Sequence, residues 1–211
     1  MNQTDTRTRL LEAGREILVE RGLPATLDLR LAEVVESVGL STGAAYNIWK
    51  SQTEFRQDLS LHLASSFQWA DTTAVAQAIA TLGPDTTMAD WVDVVCEAYF
   101  PHFVANQSFF LVLHFWGVRE PDPALRDAII QGYETLHAEF EFLYTATIRR
   151  YGLEVVPPFT ISDLTTMITA SIEGLALRHR FQPDRIENNG QHLFNAMLQM
   201  IATVYLKPTN T

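Results

Sequence analysis

Residues 39–49, Gly-Leu-Ser-Thr-Gly-Ala-Ala-Tyr-Asn-Ile-Trp, constrain the fold of this chain more than any other segment. They follow a short apolar-periodic stretch, Leu31 to Val38, that reads as a helix. Gly39 stops that helix, because glycine adopts positive φ without a steric penalty. Leu40 plugs the gap between two helices. Ser41 or Thr42 can cap a second short helix by accepting one of its orphan backbone N–H groups. Two helices joined by a tight glycine-containing turn make a helix-turn-helix.

Almost every other segment carries the 3.6-residue period, with no strand alternation and no internal repeat. The expectation is an all-α chain of about nine helices. The first runs from about Thr4 to Arg21, with Leu10, Leu11, Ala13, Gly14, Ile17 and Leu18 inward, and Gly22 ends it. Residues 23–27 connect it to the second helix, which Asp28 can cap. Ser51 and Glu54 form a capping box for a long fourth helix, Gln52 to Ala80, with Phe55, Leu59, Leu63 and Phe67 as its apolar stripe. Gly83-Pro84 breaks the chain. Further helices are expected from Met88 to Val104 with Pro101 as a kink or stop, from Ser108 to Arg119, and from Ala124 to Tyr151. Two more follow, Ser162 to Phe181 and Gly190 to Leu206. The domain reading is a helix-turn-helix head over residues 1–58 and a helical bundle over 59–211.

Nearly half of the 211 residues are apolar, ample for a core, and the formal net charge is −10. Residues 1–60 carry seven Lys or Arg and nine Asp or Glu, so the chain is no general polyanion binder. Any nucleic-acid contact must come from a local patch with the acids turned away. The single cysteine, Cys96, makes no internal disulfide and reads as a small buried hydrophobe in a reducing compartment. There is no signal-peptide pattern and no run near the roughly 20 apolar residues of a membrane span. A cytoplasmic protein with no membrane partner is expected.

The Gly39–Trp49 motif, the first-helix segment Leu11-Glu-Ala-Gly-Arg-Glu-Ile-Leu-Val-Glu-Arg-Gly22, the stretch Val34 to Gly39 and the pair Glu54-Phe55 together resemble the TetR/AcrR family of transcriptional regulators. The similarity is specific over roughly residues 7–60 and architectural beyond. Residues 170–178 resemble the penultimate helix of many members, which packs in a dimer interface. The resemblance implies a homodimer whose two recognition helices enter successive major grooves of a near-palindromic operator. It also implies a small effector in the C-terminal domain that releases the DNA, most often from a repressor. Three departures stand out. The connector after Gly22 is longer than usual, the head is mildly acidic, and Gln52 stands where the family commonly has a phosphate-touching Lys. Lys50, two residues earlier, is the replacement cation.

On this reading Thr42, Gly43, Ala44 and Asn47 face the bases. Asn reads adenine edges, and the Ala and Thr methyls meet thymine methyls. Ser41 starts the recognition helix, Tyr46 and Lys50 hold phosphates, and Arg30 is a phosphate contact or a solvated side chain. Trp49 belongs to the core. The aromatics of the middle helices are core residues or walls of an apolar pocket. The expected lining is Trp91, Tyr99, Phe103, Phe110, His114, Phe115, Tyr133, His137 and Phe140, for a small hydrophobic or aromatic effector. The dimer face draws on Ile168, Ile172, Leu175, Arg178, Leu193, Met197, Met200 and Ile201, with small residues Thr166, Ala170, Gly174 and Ala176 allowing close approach. Histidine spacing fits no metal site, and there is no nucleophile elbow, phosphate loop or dinucleotide glycine cluster. No cofactor and no enzymatic reaction are expected. The rival reading is a helical small-molecule sequestering protein whose head no longer binds specific DNA.

Overall fold

The computed structural model describes residues 3–66, 72–118, 122–186 and 190–209. Within them the chain is helical, with one two-stranded ribbon. Contacts divide it into two compact units, residues 1–69 with 106–133, and residues 70–105 with 134–211.

The first unit holds α1 (Gln3–Arg21), α2 (Ala25–Asp28), α3 (Leu31–Ser37), α4 (Thr42–Tyr46), α5 (Gln52–Ser65) and α8 (Gln107–Val118). It also takes the start of α9 (Pro123–Arg150). Its core gathers Leu10, Leu11 and Leu18 from α1, Leu31, Val34 and Val35 from α3, Ala45 and Trp49, Phe55, Leu59 and Leu63 from α5, and Leu111 from α8. The expected inward face of α1 is the one that packs. Gly14 matters here, since a Cβ at that position would sit 3.1 Å from a Leu59 methyl. It lets α1 and α5 approach closely.

Gly39 ends α3 with φ +68°. Its N–H donates to Glu36 O at 3.0 Å, and Leu40 N–H donates to Val35 O at 3.1 Å. That pair of bonds is a Schellman motif, with Leu40 turned onto the core. The other local expectations need correction. Asp28 caps nothing; it is the last residue of α2, in a stretch read as connector and its cap. Arg30 is the N-cap of α3 and gives no side-chain bond. Ser41 is the N-cap of α4, but neither hydroxyl caps that helix. At α5, Ser51 Oγ accepts from Glu54 N–H at 3.1 Å, while the Glu54 carboxylate accepts from Lys50 N–H at 2.6 Å, one residue short of a closed box.

The second unit holds α6 (Thr72–Ala80), α7 (Met88–Val104), the rest of α9, β1 (Leu153–Val155), α10 (Ile161–Phe181), α11 (Pro183–Ile186), α12 (Gly190–Tyr205) and β2 (Leu206–Pro208). The single helix expected over 52–80 is α5 and α6; Phe67 and Trp69 lie outside the described residues. Pro101 sits inside α7, which continues to Val104. The α7 helix packs against α6, α10 and α12. Its core ring pairs include Phe100 on Phe194, 5.9 Å apart and 29° from parallel. Cys96 is fully buried among them, and burial pushes its thiol up to about 12. Complete capping boxes start α7 (Thr87, Asp90) and α10 (Thr160, Asp163). The last expected helix stops at Tyr205. Leu206–Pro208 turns away to pair antiparallel with Leu153–Val155, joined by Val156 N–H to Tyr205 O at 2.9 Å.

Candidate nucleic-acid interface and interior cavity

The α4 helix is only five residues long, and its two faces differ sharply. Ala45 is fully buried and Trp49, just beyond the helix, is 3% exposed. Ser41, Thr42, Gly43, Tyr46, Asn47 and Lys50 are exposed, and Ala44 is half-buried. Trp49 anchors the assembly, as expected of a core residue. Its ring meets Phe55 edge-on at 5.1 Å, and Nε1–H donates to Asp58 Oδ2 at 2.7 Å. Arg7 Nε donates to the same oxygen at 2.8 Å. A short helix with weak intrinsic stability is thus held by tertiary bonds.

Gly43 has no structural need of being glycine. Its φ is not positive, and a Cβ there would meet nothing within 4 Å. The open backbone therefore leaves room for something outside the chain.

Three acids of the first unit pair with cations of the same unit. Glu12 accepts from Arg15 Nε at 2.9 Å and lies 3.0 Å from His62 Nε2. Arg15 first, then His62, holds its carboxyl down to about 2. Glu33 pairs with Arg21, Asp58 with Arg7. None of these sits on α4. Arg30 is exposed before α3, and Lys50 Nζ lies 3.5 Å from Tyr46 O. Gln52 faces inward, bonded to the backbone of residues 29 and 31.

The nine expected pocket residues fall in both units. In the first, Phe110 is buried edge-on to Phe109, Phe115 packs on the core, and His114 and Tyr133 are half-buried. In the second, Tyr99 contacts Phe103 (5.7 Å between centroids) and Phe140 (5.5 Å, 83°), and Phe140 stacks on Tyr144 at 5.6 Å. His137 is half-buried. Burial pushes the phenols of Tyr99 and Tyr144 up. A cavity of about 50 Å³ opens within this unit. Trp91, Met88 and Val92 of α7 line it, with Tyr144, Thr147 and Ile148 of α9, Leu164 and Ile168 of α10, and Leu198, Ile201 and Ala202 of α12. Of the nine expected residues only Trp91 lines it. Sequence reasoning missed Tyr144, Thr147 and Leu164, since an apolar residue facing a void carries the same pattern as one facing a neighbour.

The expected dimer residues also separate by exposure. Ile168, Ile172, Ile201 and Ala176 are buried within their own unit. Leu175 and Met197 are half-buried. Leu193 (46% exposed), Met200 (55%) and Arg178 are outside. On α10 the outer row is Thr166, Ala170, Gly174 and Leu177; on α12 it is Leu193, Ala196, Met200 and Val204. No described helix is long and apolar enough to cross a membrane, and no group of three or more His, Cys, Asp or Glu among the described residues could hold a metal ion.

Residues 88–203 match the family model of the BetI-type transcriptional repressor C-terminal domain. No curated protein matches the sequence. Solved structures do match. A proposed transcriptional regulator from Rhodococcus sp. RHA1 is 19% identical with a TM-score of 0.62, covering 94% of this chain and 97% of its own. NemR from E. coli, in its reduced form, is 15% identical with a TM-score of 0.62, covering 93% and 97%. A proposed transcriptional regulator from Saccharomonospora viridis, in complex with choline, is 16% identical with a TM-score of 0.57, covering 97% and 99%.

Proposed function

Because this chain belongs to the TetR family of transcriptional regulators, its match to the BetI type spanning more than half of its length, we propose that it is a ligand-responsive repressor that binds a near-palindromic operator as a homodimer. Two copies of α4 enter successive major grooves. Thr42, Gly43, Ala44 and Asn47 meet base edges, while Ser41, Tyr46, Lys50 and Arg30 meet phosphates. The observation that carries this reading is the two-faced α4: an exposed polar row over a buried Ala45 and Trp49, with an open backbone at Gly43. The working division is a DNA-binding head over residues 1–58 and a ligand-binding, dimerising part over 59–211.

The effector is a small hydrophobic or aromatic molecule bound in the C-terminal part. It acts by binding better to the dimer state that does not fit the operator. The apolar lining beside Trp91 and Tyr144 favours an apolar ligand, and the void of about 50 Å³ there must widen to admit one. A quaternary ammonium cation is the second reading. It is favoured by the choline held in the Saccharomonospora viridis protein and by the Tyr99, Phe103, Phe140 and Tyr144 ring faces, which attract cations.

Selection of bound duplexes from a random DNA pool tests the reading. Recovery of a near-palindrome supports a dimeric specific binder and supplies the probe for an effector screen. No enrichment even at low salt shifts the weight to a sequestering protein with an inactive head.

A further inference from the structure

Gln52 and Arg56 lie one turn apart on α5 and reach the same stretch of backbone. Gln52 Oε1 accepts the Leu31 N–H at 2.8 Å, and its Nε2 donates to Leu29 O at 3.0 Å. Arg56 Nη2 donates to Leu27 O at 2.6 Å and to Leu29 O at 3.3 Å. The Leu31 N–H belongs to the first turn of α3, where a helix leaves its amides without internal partners. Arg30 at the N-cap supplies no side-chain acceptor, so the cap comes from the other helix. Arg56 Nε is buried with no partner among the described residues. The guanidinium is therefore held by the two carbonyls it serves.

These bonds fall at the end of the stretch from Gly22 to the start of α3, where the chain is longer than the resemblance led one to expect. Leu29 and Leu31, at its end, are 3% and 1% exposed, so the segment is pinned by apolar burial as well. The Schellman turn at Gly39 then links α3 to α4 with little slack. Whatever fixes the start of α3 fixes the pose of the exposed α4 row.

We propose that Gln52 and Arg56 are positioning residues for base reading: a two-residue clamp that sets α3, and through it α4, against α5. This rests on the DNA-reading role of α4 proposed above. It also gives position 52 an inward task, so a cation placed there breaks the clamp.

The test uses the full chain with Gln52→Ala, Gln52→Lys, Arg56→Ala and Arg56→Lys, titrated onto the selected duplex and a scrambled one over a salt series. Amide exchange at Leu31 is followed in parallel. The ratio of specific to non-specific affinity does not depend on how much of a variant is folded, so a merely stabilising role leaves it unchanged. The clamp predicts that Gln52→Ala and Gln52→Lys lower that ratio by about five- to tenfold, the worth of one or two ordinary hydrogen bonds. Arg56→Lys, which keeps one donor, loses less than Arg56→Ala. Leu31 exchange accelerates in Gln52→Ala. If Gln52→Lys instead tightens binding to every duplex with a steeper salt dependence, position 52 faces phosphate and the clamp is wrong. An unchanged ratio, or unchanged Leu31 exchange, overturns the clamp alone. A wild-type chain with no preferred duplex overturns the DNA reading itself, and the positioning role with it.

Discussion

At the residue scale, Gly43 separates what the fold needs from what a partner needs. Replacing it with alanine adds a methyl that meets no atom of the chain. Gly43→Ala should therefore stabilise the protein by up to about 0.5 kcal/mol in denaturant unfolding, from the backbone entropy that glycine loses on folding. The same methyl stands in the space that a groove-entering backbone requires, so operator affinity should fall. Unchanged affinity would mean that Gly43 does not face DNA. Tyr46 is half-exposed and its hydroxyl is proposed for a phosphate. Tyr46→Phe should weaken selected and scrambled duplexes alike, by about 1 kcal/mol each. A loss confined to the selected duplex would make it a base reader. Gln52 shows the limit of reading single residues. The sequence marks it as a missing cation, but its amide serves backbone groups brought beside it by folding, 21 and 23 positions away.

At the element scale, short-range signals were legible and long-range ones were not. Gly22 and Gly39, where helices were expected to stop, take positive φ, as Gly152 does after α9. The bounds of α7 and α12 differ from expectation by one residue at most. The β1–β2 ribbon was illegible. Its strands are three residues each, too short for alternation to register, and they pair across about fifty positions. The caps at Asp28 and Ser41 failed because a suitable side chain is only one way to serve an orphan amide, and at α3 Gln52 serves it from α5. The Thr87–Asp90 and Thr160–Asp163 boxes carry a local pattern, a Thr three residues before an acid, that sequence reasoning passed over. Thr160→Ala should remove the side-chain acceptor for the Asp163 N–H and lower stability by about 1 kcal/mol, read from the denaturation midpoint. A change near zero would mean that the α10 cap is dispensable.

At the scale of the whole molecule, the account requires two copies. The α10 row of Thr166, Ala170, Gly174 and Leu177 and the α12 row of Leu193, Ala196, Met200 and Val204 leave small and apolar side chains uncovered in a single chain. The sequence pattern offers Ile168, Ile172 and Ile201 for the same face, and in the folded chain they are buried. An apolar residue two-thirds of the way round a helix reads alike whether it faces its own bundle or a second one. Leu193→Glu with Met200→Glu should give a folded monomer by sedimentation, with operator affinity reduced at least about a hundredfold, since each half-site is then bound alone. A dimer that survives the double substitution would relocate the interface. The pocket was equally hard to read, because its walls are core residues that happen to border a void.

If the exposed row of α4 reads bases, Asn47 is the side chain whose loss should show it. Duplex selection should be run in parallel on the wild-type chain and on Asn47→Ala. The account predicts a near-palindrome for the wild type. The variant should recover the same palindrome with preference lost at one symmetry-related pair of positions. An identical consensus from both proteins, or none from either, would contradict it.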